Sequence, residues 1–338
     1  MASMATFALK AELNFLRVLD IVHDLSPRFV SSFSRPPQVQ PGCYLWGFRG
    51  ELQMARIGIL WHPRSMRWRR RLYLISQHAA IWTEEGHQVR HFRDARAAMR
   101  WSDLIIVHAD ASEVKSIVAP LVDHRLVLNL GVSDIRKSTM SDLVLHSGDP
   151  CTGPVVVKTN LNNRGLPERW LLLKSGFAHW DSVLRSRGYL LFPSLSDVPG
   201  DLRNHPAIVV ERFEAQSENG HFMTASATFF GDEVSCVRLT ASTWQVKQQE
   251  AFAWERLDEV PIEVTNKRRA LGLDYGKIDF TTNETGTHIF DVNKTIGRIA
   301  FVPNAEQMRR MSKERLQARG KVIERYLSGE VKPLLFAE

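Results

Sequence analysis

Two aspartates and an asparagine, Asp279, Asp291 and Asn293, supply the oxygen donors that a hard divalent cation accepts. They lie in LGLDYGKIDFTTNETGTHIFDVNKT, Leu271 to Thr295, where two strand-like runs flank Thr-Asn-Glu-Thr-Gly. That polar segment, ending in Gly, suits a short hairpin loop. Period-two alternation puts Tyr275, Lys277 and Asp279 on one face of the first strand and Asp291, Asn293 and Thr295 on one face of the second. With the loop centred on Thr285, Asp279 sits opposite Asp291, and like charges in direct register destabilise each other. Nothing in either strand neutralises both carboxylates at once, whereas a magnesium ion completed by phosphate oxygens and waters would. The alternative is a solvated polar face on an exposed hairpin.

Cations that could meet phosphate oxygens lie upstream. Lys137 stands in GVSDIRKSTMSDLVLHSG, which reads as a helix capped by Ser133. In GPVVVKTNLNNRGLPE a short strand, Pro154 to Lys158, runs into a loop where Asn160, Asn162, Asn163 and Gly165 tolerate left-handed backbone, so that successive amides can turn toward an anion. Lys158 adds a charge at the same spot; an ordinary hairpin loop with an exposed lysine is the other reading. The cluster Arg64, Arg67, Arg69, Arg70 and Arg71, with Trp68 among them, reads as the solvated start of a helix or as a nucleic-acid patch. GLDYGK is one residue short of a P-loop and lacks its Ser/Thr, and no G-x-G-x-x-G, G-x-S-x-G or H-E-x-x-H occurs.

These residues need elements to hold them. From Met54 onward, strand-like runs at Ile57–Trp61, Val89–Phe92, Leu104–His108 and Leu126–Leu130 alternate with helical spacing at Arg71–Glu85, Ala95–Trp101 and Ser112–Leu121. Such alternation predicts a parallel sheet with helices on its faces. A helix over 168–187 follows, then a strand over Pro206–Phe213 and a hairpin across Gly231–Asp232. Lys247 lies on a further extended stretch, and a helix over Val264–Leu271 precedes the acidic hairpin. Asn304–Leu327 reads as a basic amphipathic helix packed on the body. Residues 1–53 read as a dispensable extension, a helix over Ala8–Val22 and then a Ser/Pro linker.

The chain has 338 residues with 44% hydrophobic content, enough for packed cores. Its net charge of +7 permits nucleic acid or polyphosphate as a partner without requiring either. Cys43, Cys151 and Cys236 are scattered, without CxxC spacing, which fits a reducing cytoplasm and argues against zinc. No apolar run reaches the roughly 20 residues a bilayer requires, so no membrane association is expected.

Taken in order, VVVKTNLNNRG, VVERF, FFGDEV, and DYGKIDF followed by DVNKT resemble the ATP-grasp superfamily, in its glutathione-synthetase-like branch and the ribosomal-protein glutamate ligases, from Met54 through Thr295. The resemblance implies an α/β N-terminal domain with a parallel sheet at 54–132. It also implies an α+β ATP-grasp domain at 133–330, whose subdomains, 133–210 and 211–330, close on ATP. By position, Lys137 and Lys158 look like phosphate-contacting lysines, with the Asn163 loop beside them. Glu211, Arg212 and Phe213 resemble the hinge that reads adenine, and Lys247 resembles a further nucleotide-side lysine. Asp279, Asp291 and Asn293 match magnesium ligands, and Arg238 resembles an arginine acting with Lys158 on the phosphate in transfer.

The implied function is an ATP- and Mg2+-dependent ligase that joins a carboxylate to an amine through an acyl phosphate. A phosphotransferase on the same scaffold is the alternative, and a nucleic-acid-binding protein using the arginine cluster is a more distant one. The expected partners are ATP, an unidentified carboxylate and an unidentified amine, in the cytoplasm, with self-association left open. The chain departs from the family pattern where HFMTASATFF lacks an arginine. It departs again past the hinge, where Ala215 and Gln216 replace an acid and leave Glu214 or Glu218 to meet the ribose. Lys294 and Arg298 could serve an anionic substrate; simple surface charge is the plainer reading.

Overall fold

The structure, a computed structural model, describes residues 54–146, 148–171, 189–297, 318 and 320–336. Met54–Glu338 form one compact unit. The expected helix at Ala8–Val22, most of those at 168–187 and 304–327, and Arg298 lie outside the described residues.

The first sheet is parallel, ordered β2-β1-β3-β4, with β1 Arg56–Leu60, β2 Gln88–Phe92, β3 Leu104–Val107 and β4 Val127–Leu128. All four residues of β3 are buried, as a strand covered on both faces requires. The helices between the strands are Ile75–Glu84 and Ala95–Trp101; the second is capped by Asp94, whose Oδ1 accepts from the Ala97 N–H at 2.7 Å. The expected helix at Arg71–Glu85 starts later, after a 3-10 turn at Arg67–Leu72. Of the predicted helix at Ser112–Leu121 only Lys115–Val118 is α-helical, followed by a 3-10 turn that contains Pro120.

A second, three-stranded antiparallel sheet is ordered β6-β5-β7, with β5 Val155–Thr159, β6 Leu190–Phe192 and β7 Ile208–Arg212. The third sheet runs β11-β10-β9-β12-β13, with β8 on the side of β9. Its strands are β8 Gln216–Glu218, β9 His221–Phe230, β10 Glu233–Ala241, β11 Ala253–Leu257, β12 Tyr275–Asn283 and β13 Gly286–Asn293. One face packs Ala225, Ala227, Phe229, Ile278 and Phe280 with Val264 of the helix Ile262–Leu271. At the end of this sheet Phe230 and Tyr275 join Ile57, Ile59 and Trp82, so the first and third sheets share a core. Among the described residues no helix is long and apolar enough to cross a membrane.

Lys137 sits on a single helical turn, Lys137–Met140, preceded by Arg136; Ser133 does not cap it. The Ser133 carbonyl instead accepts from the Val114 N–H at 2.7 Å, while Asn160 holds the turn, its carbonyl accepting from Lys137 N and its Oδ1 from Ser138 N, both at 2.9 Å.

Candidate active site

Asp279 and Asp291 are register partners in the hairpin of β12 and β13. The pairing matches the expectation, but for a different reason. Asn283 pairs with Gly286, so the loop is only Glu284–Thr285, and an unbroken ladder would place Phe290 opposite Asp279. A bulge after Asp279 adds one residue to β13 and moves Asp291 into register. Bulges commonly re-aim side chains beside functional sites. Here Asp291 faces Asp279 while Phe290 turns into a neighbouring cleft. Gly276 permits the close approach on the other side, since a Cβ there would lie 2.7 Å from the Asn293 carbonyl oxygen.

Each carboxylate already has a lysine. Lys277, two residues before Asp279 and so on the same face, donates to Asp279 Oδ2 at 2.7 Å. Ser226 on β9 donates to Asp279 Oδ1. Lys137, buried from another element, donates to Asp291 Oδ1 at 2.9 Å. The expectation was that nothing in either strand neutralises both carboxylates at once; in the structure Lys277 of β12 pairs with Asp279, and Asp291 is met by Lys137 from outside the hairpin. Burial pulls both ammonium groups down, and the adjacent carboxylates outweigh it, holding each above its ordinary value.

Lys158, on β5, donates to Glu211 Oε2 at 2.5 Å, and its Nζ lies 5.2 Å from the ring centres of both Tyr189 and Phe290. Glu211 is fully buried, and among the described residues its Oε1 has no hydrogen-bond partner. Three lysines thus face three carboxylates, a locally neutral set in which every charge depends on another.

Lys158 also lines a cleft enclosing about 620 Å³ of space, part of it open solvent. Its walls are mostly apolar and aromatic, including Val156, Tyr189, Phe213, Met223, Trp244 and Phe290. Phe213 meets Trp244 edge-on at 5.6 Å. The connection from β7 to β8 forms the floor. Arg212 N donates to the Leu143 carbonyl and Phe213 N to the Pro154 carbonyl, both at 2.9 Å, which fixes Glu214 and Ala215 where they line the cleft. Asn283 Nδ2 donates to Glu214 Oε2 at 2.8 Å, whereas Glu218 is exposed on β8 and does not line the cleft.

Solved structures similar to this chain include ATP-grasp ligases. A D-alanine–D-alanine ligase from Bacillus anthracis is 11% identical, with 82% of this chain and 99% of that one covered and a TM-score of 0.42. A RimK domain ATP-grasp protein from Sphaerobacter thermophilus DSM 20745 is 14% identical, with 81% and 100% covered and a TM-score of 0.42. A RiPP-associated ATP-grasp ligase from Chryseobacterium gregarium, in complex with ADP and a leader and core peptide, is 10% identical, with 83% and 98% covered and a TM-score of 0.40. No family model and no curated protein sequence matches the chain. The similarity is one of outline and assigns no residue.

Other expected site residues are placed elsewhere. Arg238 pairs with Ala225 in register and Asp279 with Ser226, the next residue along β9, so the arginine belongs to the opposite pleat face. It is held there by exposed Glu255, with Nε to Oε2 at 3.0 Å, and the reading of Arg238 as a phosphate ligand is corrected accordingly. Lys247 lies on the loop between β10 and β11, paired with Glu250 at 2.9 Å; Gln245 and Val246 line the cleft, but Lys247 does not. The loop after β5 is left-handed at Asn163, Arg164 and Gly165; of the residues singled out by composition, Asn163 and Gly165 adopt that backbone and Asn160 and Asn162 do not. Its amides are engaged, however: Asn162 N donates to Ser112 Oγ at 2.9 Å and Asn163 N to Asn162 Oδ1 at 2.8 Å. Lys294 is fully buried and donates to the Val132 carbonyl at 3.2 Å, so it does not meet a substrate; burial lowers its pKa to about 7.

Proposed function

We propose that the protein is an ATP- and magnesium-dependent ligase that forms an amide between a carboxylate and an amine. The observation that carries this reading is a pair of register-matched carboxylates, each held by its own buried or half-buried lysine, beside an aromatic cleft that a third lysine lines. The donor set fits magnesium. Asp279, Asp291 and Asn293 can each present oxygen, and among the described residues Asp291 takes a hydrogen bond only at Oδ1, from Lys137. Bound there, the ion would supply charge neutralisation to the phosphates of ATP.

The chain's own residues do the rest. Phe213, Trp244 and Phe290 give a flat base apolar surfaces, and the Glu214–Ala215 backbone offers donor and acceptor groups to its edge. The Glu214 carboxylate, steadied by Asn283, is placed to take a ribose hydroxyl. Lys137, Lys158 and Lys277 converge where phosphate oxygens gather charge, and transfer of a phosphoryl group depends mainly on such positioning and neutralisation. A substrate carboxylate oxygen bonds to the γ-phosphorus as the bond to ADP breaks. The amine nitrogen then bonds to the acyl carbon as inorganic phosphate leaves, and the amine proton passes to solvent. No side chain becomes covalently attached.

The test is a screen of amino acids and small peptides for stimulated ADP release, with and without an added amine. Release that needs both a carboxylate and an amine supports the ligase; phosphorylated product formed without any amine identifies a phosphotransferase instead. No uptake of adenine nucleotide in the presence of magnesium would overturn both.

A further inference from the structure

Lys277 stands inside the proposed metal position. It pairs with Asn293 across the β12–β13 ladder, and the neighbouring pair on the same pleat face is Asp279 with Asp291. Two carboxylates, a carboxamide and an ammonium therefore share one patch, three sets of oxygen donors around a cation that the chain itself supplies. β9, the other neighbour of β12, sets Thr228 beside Lys277 and Ser226 beside Asp279, and neither carries a charge.

The two lysines that hold the aspartates are fixed to different degrees. The Lys137 side chain is 2% exposed and rises from a helical turn that Asn160 holds at both Lys137 N and Ser138 N. The Lys277 side chain is 30% exposed, and its ammonium ends a flexible four-carbon stem. Among the described residues its one ion-pair partner is Asp279. Asp279 is also the more occupied carboxylate, since Oδ2 meets Lys277 at 2.7 Å and Oδ1 accepts from Ser226. A divalent ion taking an oxygen of Asp279 would settle beside that ammonium, and the like charges would repel.

An ion arriving alone must share Asp279 with Lys277 or push the lysine away with no anion to receive it. A nucleotide arriving alone draws the ammonium to its phosphates only by leaving Asp279, a like charge, uncompensated next to them. When both arrive, the ion neutralises Asp279 and a phosphate oxygen takes the ammonium in a charge-assisted hydrogen bond. Each ligand then improves the position of the other, which is a coupling between two binding events.

We propose that Lys277 is a resident cation that occupies the Asp279 side of the metal position, keeps a divalent ion from settling there alone, and yields Asp279 when a nucleotide phosphate takes its ammonium. The nucleotide's part in this rests on the ligase reading; the hold of Lys277 on Asp279 does not. Lys137 cannot play the same part, because it is buried and engages only Oδ1 of Asp291.

The test compares the full chain with Lys277→Met and Lys277→Arg, each checked for folding by circular dichroism. Manganese stands in for magnesium because it accepts the same oxygen donors, and its free concentration is read by electron paramagnetic resonance with no nucleotide present. Lys277→Met should bind manganese about tenfold more tightly than the parent, within the range that coupled sites commonly show. The same variant should bind ATP in EDTA more weakly than the parent, as followed by titration calorimetry. A lysine that only steadied the sheet would, once lost, weaken both ligands or neither. Lys277→Arg keeps the charge and should stay near the parent, and the manganese difference should persist at high salt, which screens distant charges more than direct pairs. Equal manganese affinity in parent and Lys277→Met, no manganese bound by any form, tight binding by Lys277→Arg, or loss of the difference at high salt would each overturn the proposal. Failure of the ligase reading registers separately, as no uptake of ATP with magnesium present while the manganese difference stands.

Discussion

Asp291 and Asp274 both stand on the β12–β13 side of the third sheet, and the structure treats them in opposite ways. Asp274 is buried among neutral donors. Its Oδ2 accepts from Asn129 N at 2.9 Å, and its Oδ1 accepts from Leu334 N at 2.9 Å and the Tyr326 hydroxyl at 3.2 Å. Those bonds tie the end of β4 and the C-terminal segment to the start of β12, and they fill both oxygens. Asp291 meets a buried lysine through one oxygen and leaves the other for something else. The difference separates a carboxylate that completes a scaffold from one poised to receive a cation, although both are aspartates near strands of one hairpin.

The largest effect should come from Asp291→Ala. It removes a proposed metal donor and also strands the buried ammonium of Lys137, so turnover should vanish while stability falls by about 3–5 kcal/mol. Asn293→Ala makes the cleaner contrast. Among the described residues its Oδ1 accepts only from Thr295, from the N–H at 3.2 Å. Loss of turnover by about 10²–10³ is expected with stability within about 1 kcal/mol of the parent. Normal magnesium dependence of nucleotide binding in this variant would erase the distinction drawn between the two aspartates.

Asp274→Ala should do the reverse, costing about 3–4 kcal/mol of stability by leaving two backbone N–H groups and a hydroxyl without their acceptor. Whatever fraction remains folded should bind nucleotide normally. A pH series sharpens the point. Burial raises the Asp274 pKa from 3.8 to about 6, against the opposing pull of its hydrogen bonds from Asn129 and Leu334. The folded state therefore holds this proton more tightly than the unfolded one, and the stabilisation is complete below about pH 4 and lost as pH rises through 6. Urea unfolding should show the parent's advantage over Asp274→Asn shrinking across that window, by at most about 3 kcal/mol. An advantage that grows with pH would contradict the assignment.

Much of the hairpin was legible because its logic is local. Alternation over a few residues put Lys277 and Asp279 on one face of one strand and Asp291 and Asn293 on one face of the other, but the bulge that brings the two aspartates opposite each other leaves no mark in that alternation. Arg238 shows where local reasoning stops. The two-residue turn at Gly231–Asp232 fixes how β10 pairs with β9, but that Arg238 and Asp279 fall on opposite faces depends on the register of β9 against β12, some 50 residues apart. The contacts of Asp110 with Arg69 and Thr295 likewise span 41 and 185 residues, with no periodicity to announce them. The alternating pattern after Met54 was enough for the parallel sheet, since each strand and helix there is a neighbour in sequence.

Lys158 lies between the two kinds of charge and gives the smallest predicted effect. Its alanine variant is a poor probe, because Glu211 is fully buried with one oxygen already lacking a partner, and loss of the lysine would leave a full charge uncompensated. The paired change Lys158→Met with Glu211→Gln removes both charges together and keeps the volumes similar. If the pair serves only the scaffold, as Asp274 does, the double variant should fold and bind nucleotide like the parent. If Lys158 meets phosphate, stability should stay within about 1 kcal/mol while nucleotide affinity, measured by titration calorimetry with magnesium, drops about tenfold. The second outcome is expected, since Lys158 lines the cleft and its ammonium lies beside Phe290, which the bulge turns into the same space.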